Sequence, residues 1–230
     1  MESVRPDMSW KGLYTAGAVA ALVYVVMVVV PVVLVFAAPV PPASGAEVLE
    51  YIAANKLLYL TELVCFVGLG VPALVVFSAV AVALKGLNKS MAAIGGLFGI
   101  ASEIIALALG SSPQSLHGGL VVLSDAYVAA ATDAERAGLA SAADALIAAT
   151  NAVSWAGILT AAGILILSLV MWQGIFGRAV AVIGVVTGAA GIVFEAFRPM
   201  IGSAYAIYGL LLPLWFGLVG WRLFTVSREH

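Results

Sequence analysis

Charged side chains are scarce in this 230-residue sequence: they make up 10%, against roughly 25% in an ordinary soluble domain. Ten Lys and Arg stand against twelve Asp and Glu, a net charge of −2, so no basic surface is available for nucleic acid. The single cysteine, Cys65, leaves no intramolecular disulfide framework and no thiolate metal cluster. Histidine is almost absent. His117 and His230 form neither HExxH nor HxxxH, which argues against a histidine-built zinc site and against haem held by paired helix histidines. Di-iron carboxylate bundles need Glu-x-x-His pairs, and none occurs. No lysine lies in the middle of an apolar run to hold a retinal, and no Walker or GxGxxG signature is present. Ser111 and Ser112 lie near His117 but without a GxSxG-like elbow. Catalytic residues therefore stay unassigned, no cofactor or metal is expected, and the one enzyme route left open is carboxylate chemistry through Glu62, Glu103 or Glu195.

Apolar residues fill the space that charge leaves, at 63% of the chain, with a mean hydropathy of +1.14. Because 55–60% of an ordinary protein exterior is already apolar, such an excess needs lipid as its solvent. A bilayer core of about 30 Å takes roughly 20 apolar residues at 1.5 Å rise each. Runs of that kind cover about 12–38, 57–84, 91–110, 152–172, 179–197 and 205–224. The expected fold is therefore all-α: one polytopic membrane domain of six transmembrane helices. The first run is too long for a signal-peptide core and reads as an uncleaved span. Pro31 and Pro72 are expected to kink the first two helices, and Gly68 and Gly70 to loosen the second.

Seven of the ten basic residues (Arg5, Lys11, Lys85, Lys89, Arg178, Arg222 and Arg228) fall on one side of this arrangement, and Lys56, Arg136 and Arg198 on the other. The positive-inside rule then places both termini in the cytoplasm of an inner-membrane protein. On the opposite side, Val48, Leu49 and Ile52 within 45–55 share one helical face suited to the membrane interface. Residues 111–151 are unusually many for a connection. The part at 115–131 is apolar but short, and Leu139, Ala143, Leu146 and Ile147 recur at helical spacing after a cap at Asp133. This predicts an ordered helical collar over the outer face, its last helix running unbroken into the fourth span. An internal echo aligns Lys89, Gly95 and Gly99 with Arg178, Gly184 and Gly188, each a cation followed by a close-packing GxxxG.

Charges inside spans are costly and mark candidate sites. Glu62 lies about 8 Å and Glu103 about 10 Å below the outer edge by helical rise, and Glu195 and Arg198 occupy the last turn of the fifth span before Pro199. All fall in the outer half. Arg198 is three residues from Glu195 and also at a depth to meet Glu103, so both pairings are open. Tyr59, Ser102, Trp155 and Tyr205, with Thr61, Ser154 and Tyr208, lie at comparable depth. Glu62, Glu103, Glu195, Arg198, Tyr59, Ser102, Trp155 and Tyr205 are thus the candidate ligand-binding set.

The stretch Leu84-Lys-Gly-Leu-Asn-Lys-Ser-Met-Ala-Ala-Ile-Gly-Gly-Leu-Phe-Gly-Ile-Ala-Ser-Glu103 resembles bacterial six-span proteins grouped as domain of unknown function 4386. In that family a short basic Asn-Lys/Arg-Ser turn joins two spans, and the next span carries a Phe followed by an acidic residue. The turn Gln173-Gly-Ile-Phe-Gly-Arg178 and the closing Leu214-Trp-Phe-Gly-Leu-Val-Gly-Trp-Arg-Leu223 are similar to that family's fourth turn and final span. Gly99 stands where the family often has Arg, and Gly177 where it often has Pro, so no role of that arginine carries over. The resemblance implies six spans and no known activity. The expected function is an outward-facing polar pocket that binds or transports a small cationic or amphipathic molecule. An enzyme acting on a lipid or isoprenoid and an accessory subunit remain as alternatives, and so does homo-oligomerisation; the bilayer is the expected partner.

Overall fold

A computed structural model describes residues 7–35, 41–110, 116–172 and 174–228. They form helices and turns with no strand: α1 (Lys11–Val35), α2 (Gly45–Ala54), α3 (Lys56–Gly68), α4 (Gly70–Leu84), α5 (Lys89–Leu109), α6 (Gly118–Ala129), α7 (Asp133–Thr150), α8 (Trp155–Met171), α9 (Arg178–Ala196), the short α10 (Arg198–Ile201) and α11 (Tyr205–Arg228). Six helical stretches are long and apolar enough to cross a membrane: Met8–Pro31, Lys56–Leu84, Lys89–Leu109, Asp133–Met171, Arg178–Ala196 and Arg198–Arg228. The protein is an all-α polytopic membrane bundle, and these stretches overlap the six read from the sequence. Residues 36–38 of the first expected span, and Ser111 and Ser112, lie outside the described residues.

Contacts divide the chain into two compact units. One comprises Met1–Val26, Leu69–Ile105 and Val153–His230, the other Met27–Gly68 and Ala106–Ala152. The division passes through Leu69, where α3 stops and α4 starts between Gly68 and Gly70, the pair expected to loosen this span.

In the first unit the helices pack through small residues. A Cβ on Gly163 of α8 would lie 2.9 Å from the Gly95 carbonyl and the Gly99 amide of α5. A Cβ on Gly188 of α9 would lie 2.6 Å from the Leu165 amide and 2.7 Å from the Ala161 carbonyl of α8. Both echoed GxxxG pairs therefore seat on α8, one from each side, at backbone-contact distance. Gly17 of α1 comes as close to Ala79 of α4, and Gly220 of α11 to Ala21 of α1. Tyr24 stacks on Phe216 at 3.8 Å, and Phe77 and Trp215 complete the aromatic centre.

At one end of this unit Asp7 pairs with Lys85 at 3.0 Å, Lys85 lies over the Trp10 ring, and Arg222 Nε donates to the Phe176 carbonyl at 2.9 Å. The Ser9 hydroxyl and Lys85 hold the Asp7 carboxyl down to about 2. The basic residues Lys11, Lys85, Lys89, Arg178, Arg222 and Arg228 share this end. A shallow groove of about 570 Å³ runs between α1 and α4, lined by Gly12, Ala16 and Ala20 on one side and Val71, Pro72 and Val75 on the other. Thr15 is its one polar side chain, so it suits lipid.

In the second unit α2 packs against α6 and α7 over a core of Val48, Leu49, Ile52, Tyr59, Leu116, Leu120, Ala143 and Ile147. The expected helix at 45–55 forms, but Val48, Leu49 and Ile52 face that core rather than a membrane interface, because α6 and α7 bring apolar faces of their own. Polar links fix the register: Gly45 N–H donates to Asp144 at 2.6 Å and Ser124 Oγ to the Leu49 carbonyl at 2.7 Å. The connection between the third and fourth spans is helical over Gly118–Ala129 and Asp133–Thr150. Leu120, Ala143 and Ile147 are covered, whereas Val122 and Val128 stay 70% and 63% exposed.

Two details differ from the sequence reading. Thr132, not Asp133, caps α7: its Oγ1 accepts from Glu135 N–H at 3.2 Å, while Glu135 Oε2 accepts from the N–H of Ala131, just before the cap, at 3.1 Å. Nor does α7 run unbroken into the fourth span. It ends at Thr150, and α8 restarts after Ser154, whose hydroxyl accepts from Gly157 N–H at 3.0 Å and so satisfies a free helix-start amide.

Candidate functional site

The first turns of α8 lie between α5 and α9, at the end of the first unit opposite its basic residues. From the α5 side, Ser102 Oγ donates to the Ala156 carbonyl at 2.7 Å and touches Thr160 Oγ1. Thr160 Oγ1 lies 3.3 Å from both Glu103 Oε1 and the Ala156 carbonyl, which makes it the hub of the group. Approach from the α9 side depends on Gly157, where a Cβ would overlap the Glu195 carboxylate. Glu195 thus packs on the first turn of α8, where the positive end of the helix dipole favours an anion.

Arg198 Nη2 is 3.1 Å from Glu195 Oε2 and donates to Tyr205 Oη at 2.8 Å, and Tyr205 Oη donates to Glu195 Oε1 at 2.5 Å. The guanidinium also lies 5.0 Å from the Tyr205 ring centre. Tyr208 fills the space left by Gly191 and meets Tyr205 edge-on. It also stacks on Phe194.

Burial makes the charge count consequential. Glu195 is 2% exposed and Glu103 9%. Two carboxylates and one guanidinium sum to −1 when all are ionised, and among the described residues no ion pair includes Glu103. An uncompensated carboxylate inside an apolar slab must be neutralised by a proton or a cation.

No family model matches the chain, and no curated protein or solved structure is significantly similar to it.

Of the candidate residues, the structure brings Ser102, Glu103, Glu195, Arg198 and Tyr205 to this one end, and resolves the open pairing: Arg198 meets Glu195. Glu62 and Tyr59 belong to the other unit. Tyr59 serves a structural purpose there, its hydroxyl accepting from the His117 amide at 3.0 Å, while Glu62 is covered within α3. Trp155 is 73% exposed, as befits an interfacial tryptophan. Sequence reasoning passed over Thr160, Tyr24 and Gly157. A signal for Thr160 was present: it is the only hydroxyl-bearing side chain in the α8 run from Trp155 to Leu167. Among the described residues no group of three or more His, Cys, Asp or Glu could hold a metal ion.

Proposed function

We propose that this multi-pass protein binds, and moves across an inner membrane, a small cationic or amphipathic molecule, with Glu103 as the counter-charge. The observation that carries the reading is Glu103 itself: nine-tenths buried, bonded to a hydroxyl rather than a cation, while Arg198 is engaged by Glu195 and Tyr205. The opposite end of the same unit holds the basic residues, so the positive-inside rule turns the acidic end outward. The proposed kinship with the domain of unknown function 4386 family, carried by residues 84–103, 173–178 and 214–223, implies no activity of its own. A lipid-directed carboxylate enzyme finds less support, since no carboxylate lines the groove on α1 and α4.

Thermal unfolding of the purified protein with a panel of small primary, tertiary and quaternary amines tests the reading. Saturable stabilisation by at least one amine, lost in Glu103→Gln, is the expected result. If no amine shifts the transition, or if Glu103→Gln responds like the parent, Glu103 is not an organic-cation site.

A further inference from the structure

The oxygens around Glu103 point to the kind of cation the site takes. Glu103 Oε1, Thr160 Oγ1, Ser102 Oγ and the Ala156 carbonyl oxygen come from two helices, α5 and α8, that the glycine contacts at Gly95, Gly99 and Gly163 hold at fixed spacing. We propose that these four oxygens form a site for one small monovalent inorganic cation, sodium by size, and that a proton competes for the same place. The proposal rests on the reading of Glu103 as a counter-charge: the inorganic ion holds the place when no organic cation does, and a small amine competes for it.

A count of hydroxyl protons comes first. Ser102 and Thr160 have one each. That of Ser102 goes to the Ala156 carbonyl at 2.7 Å. That of Thr160 is contested by Glu103, Ser102 and the Ala156 carbonyl. An ionised Glu103 therefore receives at most one hydrogen bond from this group, although a carboxylate offers about four lone-pair sites. The shortfall is met in one of two ways. A proton on Glu103 can donate to Thr160 Oγ1, or a cation can draw the lone pairs of all four oxygens at once. One excludes the other.

Ligand chemistry then selects the ion. Every candidate donor is oxygen, which favours hard cations over copper, zinc or iron. A net charge of −1 for the buried cluster is cancelled by a monovalent ion, whereas a divalent ion would leave a buried excess of positive charge. Oxygens this close together, on two helices whose glycines meet at backbone distance, leave room only for a small ion, one that binds oxygen at roughly the 2.3–2.6 Å typical of calcium. Sodium is of that size, and potassium is larger.

Equilibrium binding of radioactive sodium to the full-length protein in detergent, at constant ionic strength, tests the site. Saturable binding is expected, displaced by lithium and unlabelled sodium but not by potassium or choline. Apparent affinity should fall about tenfold per pH unit once Glu103 takes up its proton. Thr160→Val and Ser102→Ala should each weaken binding about tenfold or more, and Glu103→Gln should abolish it, with unfolding in choline chloride close to that of the parent. Should Glu103→Gln fail to fold, the two hydroxyl variants and the ion selectivity of the parent still decide the matter. Absence of saturable sodium binding by the parent from neutral to alkaline pH overturns the proposal, as does equal displacement by potassium. If an amine nevertheless stabilises the protein through Glu103, only the inorganic assignment falls; if neither ion nor amine binds, both readings fall.

Discussion

Glu195 meets Arg198 at 3.1 Å with both side chains almost wholly covered, whereas Glu103, also deep in the unit, meets the Thr160 hydroxyl. The two carboxylates should therefore respond differently to substitution. Arg198→Met strands a buried negative charge and should lower stability by about 3–5 kcal/mol, with Glu195→Gln in the same chain restoring much of the loss. Glu103→Gln breaks no ion pair among the described residues and should stay within about 1 kcal/mol of the parent. Thermal unfolding of the three variants in detergent checks this; an equal loss for Glu103→Gln would show that Glu103 has a charged partner. The Glu195–Arg198 contact was legible in the sequence, because residues three apart on helical backbone are neighbours. The Glu103–Thr160 contact was not, since 57 positions separate the partners and nothing in local spacing relates them.

Helix ends and helix contacts carry the next set of consequences. His117 caps α6, its Nδ1 accepting from Gly119 N–H at 2.9 Å, which requires that nitrogen to be free of its proton. Burial lowers the His117 pKa below its ordinary 6.5. The cap is thus complete above about pH 6.5, the unfolded value, and its contribution is lost as pH falls through the lower folded value. Amide hydrogen exchange at Gly119 and Leu120, corrected for intrinsic rates, should show protection falling on acidification. Asn caps without titrating in this range, so His117→Asn should remove that pH dependence, and His117→Ala should cost about 1 kcal/mol at neutral pH. Glycine positions divide in the same way. Gly188→Ala puts a methyl 2.6 Å from the α8 backbone and should destabilise by about 1–3 kcal/mol. Gly138→Ala, in α7 with nothing within 4 Å, should stabilise by about 0.5–1 kcal/mol. Chemical denaturation of the pair reads both signs, and a stabilising Gly188→Ala would mean that α8 and α9 do not touch there.

For the molecule as a whole, the topology proposed from the seven-to-three division of basic residues has the C-terminus in the cytoplasm and residues 131–140 outside. Paired alkaline phosphatase and green fluorescent protein fusions at these positions should report opposite compartments; the same compartment for both would remove the six-span topology. Lipid as solvent, the approximate span positions and the two close-packing glycine motifs were settled by the sequence, because each depends on composition or on neighbours within one helical turn. Tertiary structure alone decided that both glycine motifs grip α8, that Thr160 joins Glu103, that Glu62 belongs to a different unit, and that Val48, Leu49 and Ile52 turn to α6 and α7. The reason is physical: a membrane helix that is apolar all round has no sequence-marked inner face, so its neighbours are chosen by where small residues let backbones meet.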